Sequence, residues 1–417
     1  MNAASLATSR SFDTDLNDVY IACQPILDKQ CNVVAYELLF RPVVEDVANA
    51  PDVEPAMLSI INSAFASIDI QSALGNKKAY VNLDAKSLRE DFVDLLPAKR
   101  FVLETVEIST VDDPLLERLK NLKSHGYCIA LNDFDNEAGK EPLLVLCDIV
   151  KLDVSVLSPA AFVQHTQRLS TQGKQILAKQ VNTAEQFTLC ESLGCNLFQG
   201  GFFAKPVKLI QSDIPASTLR ILDIMNNIVA DADIAFLERA ISHEVSLSYK
   251  LLQFVNSAGL SCGRELRTVK QALSMLGRNQ LYRWLSLMLY TSKDDGLNQT
   301  DALLNAALYR GRLLELFSEY TDLENPNELF VLGTFSYLEA LLNRDMESIL
   351  KDISMPAPIK HALLEQDGRY WPFFNLALSI ERDDVNDIRN AAKPLGLTLA
   401  DINRAQLEAL VYCEALS

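Results

Sequence analysis

Polar side chains recur where short apolar runs in the first half of the chain end. They are Glu37, Asn82, Glu104 with Glu107, Asn132 with Asp133, Lys151 with Asp153, and Gln199. Any one of them is more often a cap, a turn or a satisfied buried group, but the same placement on run after run favours a shared site. Carboxylate and amide oxygens that converge suit a hard, oxygen-ligated cation such as Mg²⁺ or Mn²⁺.

Short β-rich runs alternate with helical patterns from Tyr20 to about Lys208. The strand candidates are YIACQPI, NVVAYELLF, KAYVNLD, RFVLETVEI, YCIALND, DIVKLD and KQILA, with amphipathic stretches such as MLSIINSAFASI and DPLLERLKNLKSHG between them. This alternation implies parallel pairing, and roughly eight such units close a barrel whose active site lies in the loops after the strands. The first half is therefore expected to be a TIM-like (β/α) barrel with the polar residues at its mouth.

The pattern changes after Ile214, where strand runs give way to consecutive helices with a 3.6-residue period that continue to Cys413. The segment KPVKLIQSDIP, with two prolines around a polar turn, is the expected boundary. The fold class is thus multidomain, α/β plus all-α. The expected parts are a flexible N-terminus at 1–17, the barrel at 18–208 and a helical domain at 209–417.

Composition narrows the partners and the compartment. Fifty-five acidic against thirty-eight basic residues give a formal charge of −17 with no basic patch, which disfavours nucleic acid and anionic membranes. The N-terminus lacks the apolar core of a signal peptide, and no run approaches the roughly 20 apolar residues of a membrane span. The eight cysteines show no metal-binding spacing and are expected to be reduced thiols. We expect a cytoplasmic protein.

The first half resembles the EAL domains, the cyclic di-GMP phosphodiesterases. The segment QPI at Gln24 followed by YELLFRP resembles the family's opening, and VNL, LETVE, NDFD, IVKLD, LAKQVNTAEQ and LGCNLFQGGFFAKP follow in the family's order. The resemblance implies that Glu37, Asn82 and Glu104 match metal ligands, Lys151 the catalytic lysine and Gln199 a late glutamine of the site. It also implies that Gln24 and Arg41, together with Asp133, are candidate contacts of the dinucleotide, Arg41 being suited to a phosphate.

Several positions depart from the family pattern. Asn132 replaces an aspartate that ligates metal, and an amide oxygen lacks the full negative charge. Asp135 replaces a glycine that gives the loop its freedom. Lys179 replaces the glutamate that orients or deprotonates the attacking water, and Asn182 replaces a second acid. A protonated lysine accepts no proton and repels cations, so hydrolysis by metal-bound water loses both of its requirements.

These departures predict that the barrel is not an enzyme, with Lys151, Lys179 and Gln199 as vestigial catalytic residues. No metal is expected at the vestigial ligand positions Glu37, Asn82, Glu104 and Asn132. Our hypothesis is that the Lys179 ammonium lies among Glu37, Glu104 and Asp133 in place of the missing cations. The alternative is that Lys179 points into solvent.

The second half resembles HDOD domains, relatives of the HD phosphohydrolases, and the whole chain resembles the EAL–HDOD architecture of YuxH-like signalling proteins. The likeness is carried by SHEVSLSYKLLQFVNSAG, TVKQALSMLGRNQLYRWLSLML and LFVLGTFSYLEALLNRDMESILKDISMPAPIKHALL. None of the four histidines is followed by aspartate, so the doublet of an active HD enzyme is missing. This half is expected to bind other proteins.

Two functions follow from the sequence. The first is a non-catalytic signalling protein of the cyclic di-GMP pathway, without cofactor, that acts through other signalling or regulatory proteins bound by the helical half. Residual binding of cyclic di-GMP and a homodimer are left open. The alternative is a weakly active or ligand-sensing cyclic di-GMP phosphodiesterase that uses Mg²⁺ or Mn²⁺. Turnover that is lost in Glu37→Ala distinguishes the second from the first.

Overall fold

The computed structural model describes residues 19–42, 73–106, 108, 111–132, 134, 140–205, 214–257, 266–291, 299–321 and 325–416. The expected flexible N-terminus, the helix expected at MLSIINSAFASI and most of the expected boundary segment lie outside these residues. No helix within the described ranges combines the length and the apolar character needed to cross a bilayer.

Eight strands close into a barrel in sequence order. They are β1 (Val19–Leu27), β2 (Val33–Pro42), β3 (Lys78–Leu83), β4 (Phe101–Thr105), β5 (Cys128–Leu131), β6 (Ile149–Asp153), β7 (Gln175–Lys179) and β8 (Leu197–Phe198). The helices α1 (Asp113–Ser124), α2 (Glu141–Leu146), α3 (Pro159–Thr171) and α4 (Ala184–Ser192) follow β4 to β7 in turn. The predicted barrel is therefore confirmed.

One strand runs against the predicted parallel pairing. β1 is antiparallel to both β2 and β8, whereas β2 to β8 pair in parallel. Only residues 28–32 separate β1 from β2. A parallel connection needs a crossover of a dozen residues or more, so a link this short permits only a hairpin. The expectation of parallel pairing throughout was wrong at this point.

The second half is helical, as predicted. Its helices are α5 (Ala216–Val229), α6 (Ile234–Ser242), α7 (Val245–Ser257), α8 (Val269–Thr291), α9 (Gln299–Tyr320), α10 (Pro326–Phe335), α11 (Leu338–Leu342), α12 (Met346–Asp352), α13 (Ala357–Leu364), α14 (Trp371–Arg382), α15 (Val385–Ala392) and α16 (Leu399–Leu416). Gly277 interrupts α8 with φ +69° and ψ 176°. α9 and α10 pack closely at two glycines, since a Cβ on Gly333 would lie 2.6 Å from the Gly311 Cα.

The chain forms two compact units, and their limits differ from the expected ones. The segment from Leu378 onward belongs with the barrel, while Pro206–Ala377 forms the helical unit. The reason lies at β1, which pairs with the two-residue β8 only at Leu27. Farther along that edge, α16 satisfies the backbone of Ile21: its N–H donates to Asn403 Oδ1 at 3.0 Å, and its carbonyl accepts from Gln406 Nε2 at 3.0 Å. The last helix thus covers a strand edge that would otherwise lack partners.

Candidate functional site

The polar residues of the strand ends form one layer inside the barrel. Beneath them lies an apolar layer made of Ile26, Ala35, Tyr80, Val102, Ala130, Ile149 and Leu177. Each of these is two residues from a polar residue, in the order Gln24, Glu37, Asn82, Glu104, Asn132, Lys151 and Lys179. Side chains two apart on a strand share a face. The register of the barrel therefore brings the predicted site residues together above a closed floor.

A buried ion cluster lies at the centre of this polar layer. The Lys151 ammonium donates to Glu37 Oε2 at 2.8 Å and to the Glu104 carboxylate oxygens at 2.7 and 2.9 Å. The three side chains are at most 6% exposed. Two carboxylates that meet inside a protein are stabilised by a cation between them. That cation is the ammonium of Lys151.

Hydrogen bonds extend the cluster towards β1. The Gln199 amide donates to Glu37 Oε2 at 2.7 Å and to Gln24 Oε1 at 2.8 Å. Gln199 is held where β8 ends because its backbone bonds to Ala178 and Val181. The following residue must be glycine, since a Cβ on Gly200 would lie 2.1 Å from the Val181 carbonyl oxygen. The sequence GG after the glutamine therefore fixes the side chain that joins Glu37 to Gln24.

The hypothesis that Lys179 lies between Glu37 and Glu104 was wrong, while its expected neighbour Asp133 lies outside the described residues. Its ammonium lies 3.3 Å from Asn132 Oδ1 and 3.8 Å from Asp153 Oδ2, while Lys151 is the residue bonded to Glu37 and Glu104. Lys179 is close enough to Glu104 to lower its pKa, but as the smallest of several influences. It does not point away into solvent either, since its side chain is 19% exposed.

Burial sets the protonation of the cluster. It raises the pKa of Glu104 from 4.5 to about 7, although the ammonium of Lys151 acts in the opposite direction. Burial alone would lower the pKa of Lys151, but the Glu104 and Glu37 carboxylates outweigh it and raise that pKa above its usual value. Lys151 therefore keeps its proton at neutral pH, whereas Glu104 gains or loses its proton near pH 7.

A third oxygen belongs to the same polar layer, since Asn82 pairs in register with Glu104 on the neighbouring strand. Asn82 Oδ1 is buried and accepts no hydrogen bond in the described part of the chain. A buried amide oxygen left without a donor costs free energy and calls for an explanation. With Glu37 and Glu104, it offers three hard oxygens of the kind that Mg²⁺ and Mn²⁺ bind. Among the described residues, no group of three acids, histidines or cysteines is placed to hold a metal.

Arg41 and Gln24 meet a residue that the sequence did not single out. Asp383, at the end of α14, accepts from the Arg41 guanidinium and, at 3.4 Å, from Gln24 Nε2. Arg41 remains 44% exposed and Asp383 only 10%. No motif predicts this contact, because Asp383 lies 342 residues from Arg41 in a helical region. The predicted site residues Asp133, Asp135 and Glu107 lie outside the described residues.

Comparisons with known proteins agree with this architecture. The EAL domain family matches residues 9–206, and the HDOD domain family matches residues 212–341. The uncharacterized protein YuxH of Bacillus subtilis is 27% identical over 95% of this chain and 98% of its own length. The cyclic di-GMP phosphodiesterase CdgJ of Vibrio cholerae is 27% identical over 95% of this chain and 93% of its own.

Solved structures give a weaker match. The EAL enzyme Bd1971, with cAMP and cyclic di-GMP bound, is 20% identical with a TM-score of 0.40. The match covers 46% of this chain and 62% of that chain, so less than two thirds of its length is represented.

The prediction that this chain is not an enzyme is overturned by these comparisons. A relative that matches almost end to end is named a phosphodiesterase, so the departures at Asn132 and Lys179 do not establish inactivity. With both family models matched in the expected order, the chain carries an EAL domain followed by an HDOD domain.

Proposed function

We propose that this protein is a slow, cation-assisted cyclic di-GMP phosphodiesterase. The observation that carries the proposal is that Glu37, Asn82 and Glu104 share one polar layer of the barrel, with the Asn82 amide oxygen buried and unpartnered among the described residues. These are the residues that the EAL resemblance marks as metal ligands. The relative CdgJ, which bears the name of this activity, supports the same conclusion across both halves of the chain.

Glu37, Asn82 and Glu104 would hold the divalent cation. When bound, such a cation supplies positive charge that lowers the pKa of water and neutralises phosphate. The two carboxylates are already bonded to Lys151, so the ammonium opposes occupation of this position. Deprotonation of Glu104, whose pKa is about 7, favours it.

The chain's own residues supply binding and proton transfer. The exposed guanidinium of Arg41 is suited to a phosphate because it can donate two parallel hydrogen bonds. Asp153 lies on the same face of β6 as Lys151, two residues nearer the mouth, and its carboxylate is the proposed proton acceptor. It takes over from the glutamate that Lys179 replaces. Lys179 Nζ lies 3.8 Å from Asp153 Oδ2, and its positive charge repels a cation beside that carboxylate, so we expect slow turnover.

The decisive experiment incubates the purified full-length protein with cyclic di-GMP and Mn²⁺ and follows the linear product. We expect turnover that is abolished in Glu37→Gln and unchanged in Glu117→Gln, a matched change at a side chain that is 73% exposed. Turnover that persists in Glu37→Gln would refute the assignment of the site. If wild type shows no turnover, the catalytic proposal is wrong.

A ligand-sensing role is the second candidate, and the exposed Arg41 guanidinium favours it. Calorimetric titration of cyclic di-GMP without divalent cation tests it directly. We expect binding that Arg41→Ala abolishes and Arg89→Ala, at a similarly exposed arginine with an aspartate partner, leaves intact. Equal affinity of the two variants would remove Arg41 from the binding site.

Protein partners and a cytoplasmic location belong to the same proposal. Exposed apolar side chains on α5, α6 and α7 support partner binding by the helical half: Leu219, Ile234, Phe236, Val245 and Tyr249. None of the seven described cysteines forms a disulfide, which suits a reducing compartment. If wild type and the double variant Val245→Ser/Tyr249→Ser capture the same proteins, this surface is not the partner-binding site.

A further inference from the structure

We propose that Asp383 is a positioning residue of the EAL site, which orients Arg41 and Gln24 for the ligand from outside the sequence that the EAL family covers. The inference rests on the proposed function, because it concerns the same ligand. Asp383 Oδ2 accepts from both side chains. The family match ends at residue 206, so the site draws a necessary carboxylate from the far end of the chain.

Asp383 occupies a position that its residue type does not favour. It follows the last residue of α14, and its N–H bonds back to the Ser379 and Ile380 carbonyls. Its φ is +59°, a left-handed conformation that glycine or asparagine adopts more readily at a helix end. A carboxylate at a helix C-terminus also meets the negative end of the helix dipole. Neither the left-handed backbone nor the helix end favours aspartate at this position. The contacts of its carboxylate with Arg41 and Gln24 therefore explain why the residue is aspartate.

The carboxylate is committed to its two partners. Its other oxygen, Oδ1, is buried without a hydrogen bond among the described residues, and burial raises the pKa of Asp383 despite Arg41. A buried carboxylate oxygen without a hydrogen bond lowers the stability of the fold, so its presence calls for an explanation. The explanation we infer is the orientation of Arg41. Asp383 binds the Arg41 guanidinium from the buried side, while 44% of the arginine side chain remains exposed to a ligand.

The same carboxylate is connected to the ion cluster. Gln24 donates to Asp383 and accepts from Gln199, which in turn donates to Glu37. A continuous line of hydrogen bonds therefore joins Arg41 at the rim to the cluster at the centre. Without Asp383, the side chains of Gln24 and Arg41 can adopt other rotamers. We expect this to weaken ligand binding more than it slows the chemical step.

The test uses full-length protein with Mn²⁺ and compares KM and kcat for cyclic di-GMP. Asp383→Gly suits the left-handed backbone and removes the carboxylate, while Asp383→Asn keeps an acceptor oxygen. A charge-assisted hydrogen bond is worth enough to change binding about tenfold. We expect KM to rise about tenfold in Asp383→Gly, less in Asp383→Asn, with kcat within about twofold of wild type. Asp387→Asn, at a carboxylate that is 55% exposed, is the matched control.

A double-variant cycle separates positioning from a general effect on the fold. In an Arg41→Ala background, Asp383→Gly should raise KM little further, because its effect passes through Arg41. The inference would be overturned if the increases in KM caused by Asp383→Gly and Arg41→Ala were additive. It would also be overturned if the KM of Asp383→Gly equalled that of Asp387→Asn. Tighter binding in Asp383→Gly would overturn it too, by making Asp383 a competitor of the ligand. If wild type neither binds nor hydrolyses the dinucleotide, the proposed function fails, and the role of Asp383 fails with it.

Discussion

Replacement of Lys151 by methionine tests the buried cluster most directly. Methionine has a similar volume but no charge, so Lys151→Met leaves Glu37 and Glu104 facing each other without the ammonium that now bonds to both. Removal of one partner from a buried ion pair typically costs about 3–5 kcal/mol. The loss should grow with pH, because keeping a proton on Glu104 costs about 1.4 kcal/mol for each pH unit above its pKa.

The assay must report on the barrel by itself. Both tryptophans, Trp284 and Trp371, lie in the helical unit, so intrinsic fluorescence does not follow the site. Hydrogen exchange of the amides of β4 and β6 does, and a loss of 3–5 kcal/mol corresponds to protection that falls by about a hundredfold or more. Lys120→Met, at an exposed lysine paired with Glu117, is the control and should change protection little.

Divalent cation should rescue the variant. With the ammonium gone, Glu37, Glu104 and Asn82 offer their oxygens to Mn²⁺ without competition. We therefore expect added Mn²⁺ to restore protection in Lys151→Met and to affect wild type less. A loss below about 1 kcal/mol that is independent of pH would refute the cluster as a structural element. If Lys151→Met is destabilised but Mn²⁺ does not restore its protection, the structural role of the cluster is supported and the proposed cation site is refuted.

Three further predictions concern single side chains. Binding of Mn²⁺ should strengthen from pH 6 to about 8 as Glu104, with a pKa of about 7, loses its proton, and calorimetry of Glu104→Gln should lose that pH dependence. For stability the sign is opposite: the folded state holds this proton between pH 4.5 and about 7, so the contribution of Glu104 to the free energy of unfolding falls as pH rises through that window. Lys179→Glu should raise turnover, because it restores a carboxylate beside Asn132, and unchanged turnover would show that position 179 does not limit the reaction. Asn403→Ala should lower the free energy of unfolding of the barrel unit by about 1–3 kcal/mol because it strands the Ile21 N–H, as measured by hydrogen exchange against the exposed control Asn390→Ala.

The sequence predicted most of the barrel because its strands carry their own signal. All seven apolar runs form strands, and the polar residues after them converge because strand ends meet at one mouth. β8 has only two residues, too few for any periodicity. The antiparallel β1 was readable from the five residues that separate it from β2, but the alternation of strands and helices outweighed that signal.

The side-chain pairing inside the site could not be predicted in the same way. Lys151 and Lys179 both point into the polar layer, and sequence spacing does not tell which ammonium reaches Glu37 and Glu104. That depends on the tilt and register of strands that are not neighbours in the barrel. The described strand-end residues therefore share one polar layer, as the spacing predicted, whereas the ammonium that bonds to Glu37 and Glu104 belongs to Lys151 and not to Lys179.

Family boundaries and physical boundaries differ in this chain, and the difference bears on function. The EAL match ends at residue 206, yet the barrel unit resumes at Leu378, where Asp383 bonds to Arg41 and α16 covers the backbone of Ile21. The boundary between the units falls within α14, since Ala377 belongs to the helical unit and Leu378 to the barrel unit. The helical unit is thus an insertion in the sequence of the barrel unit, and Asp383 belongs to the part of the barrel unit that follows the insertion.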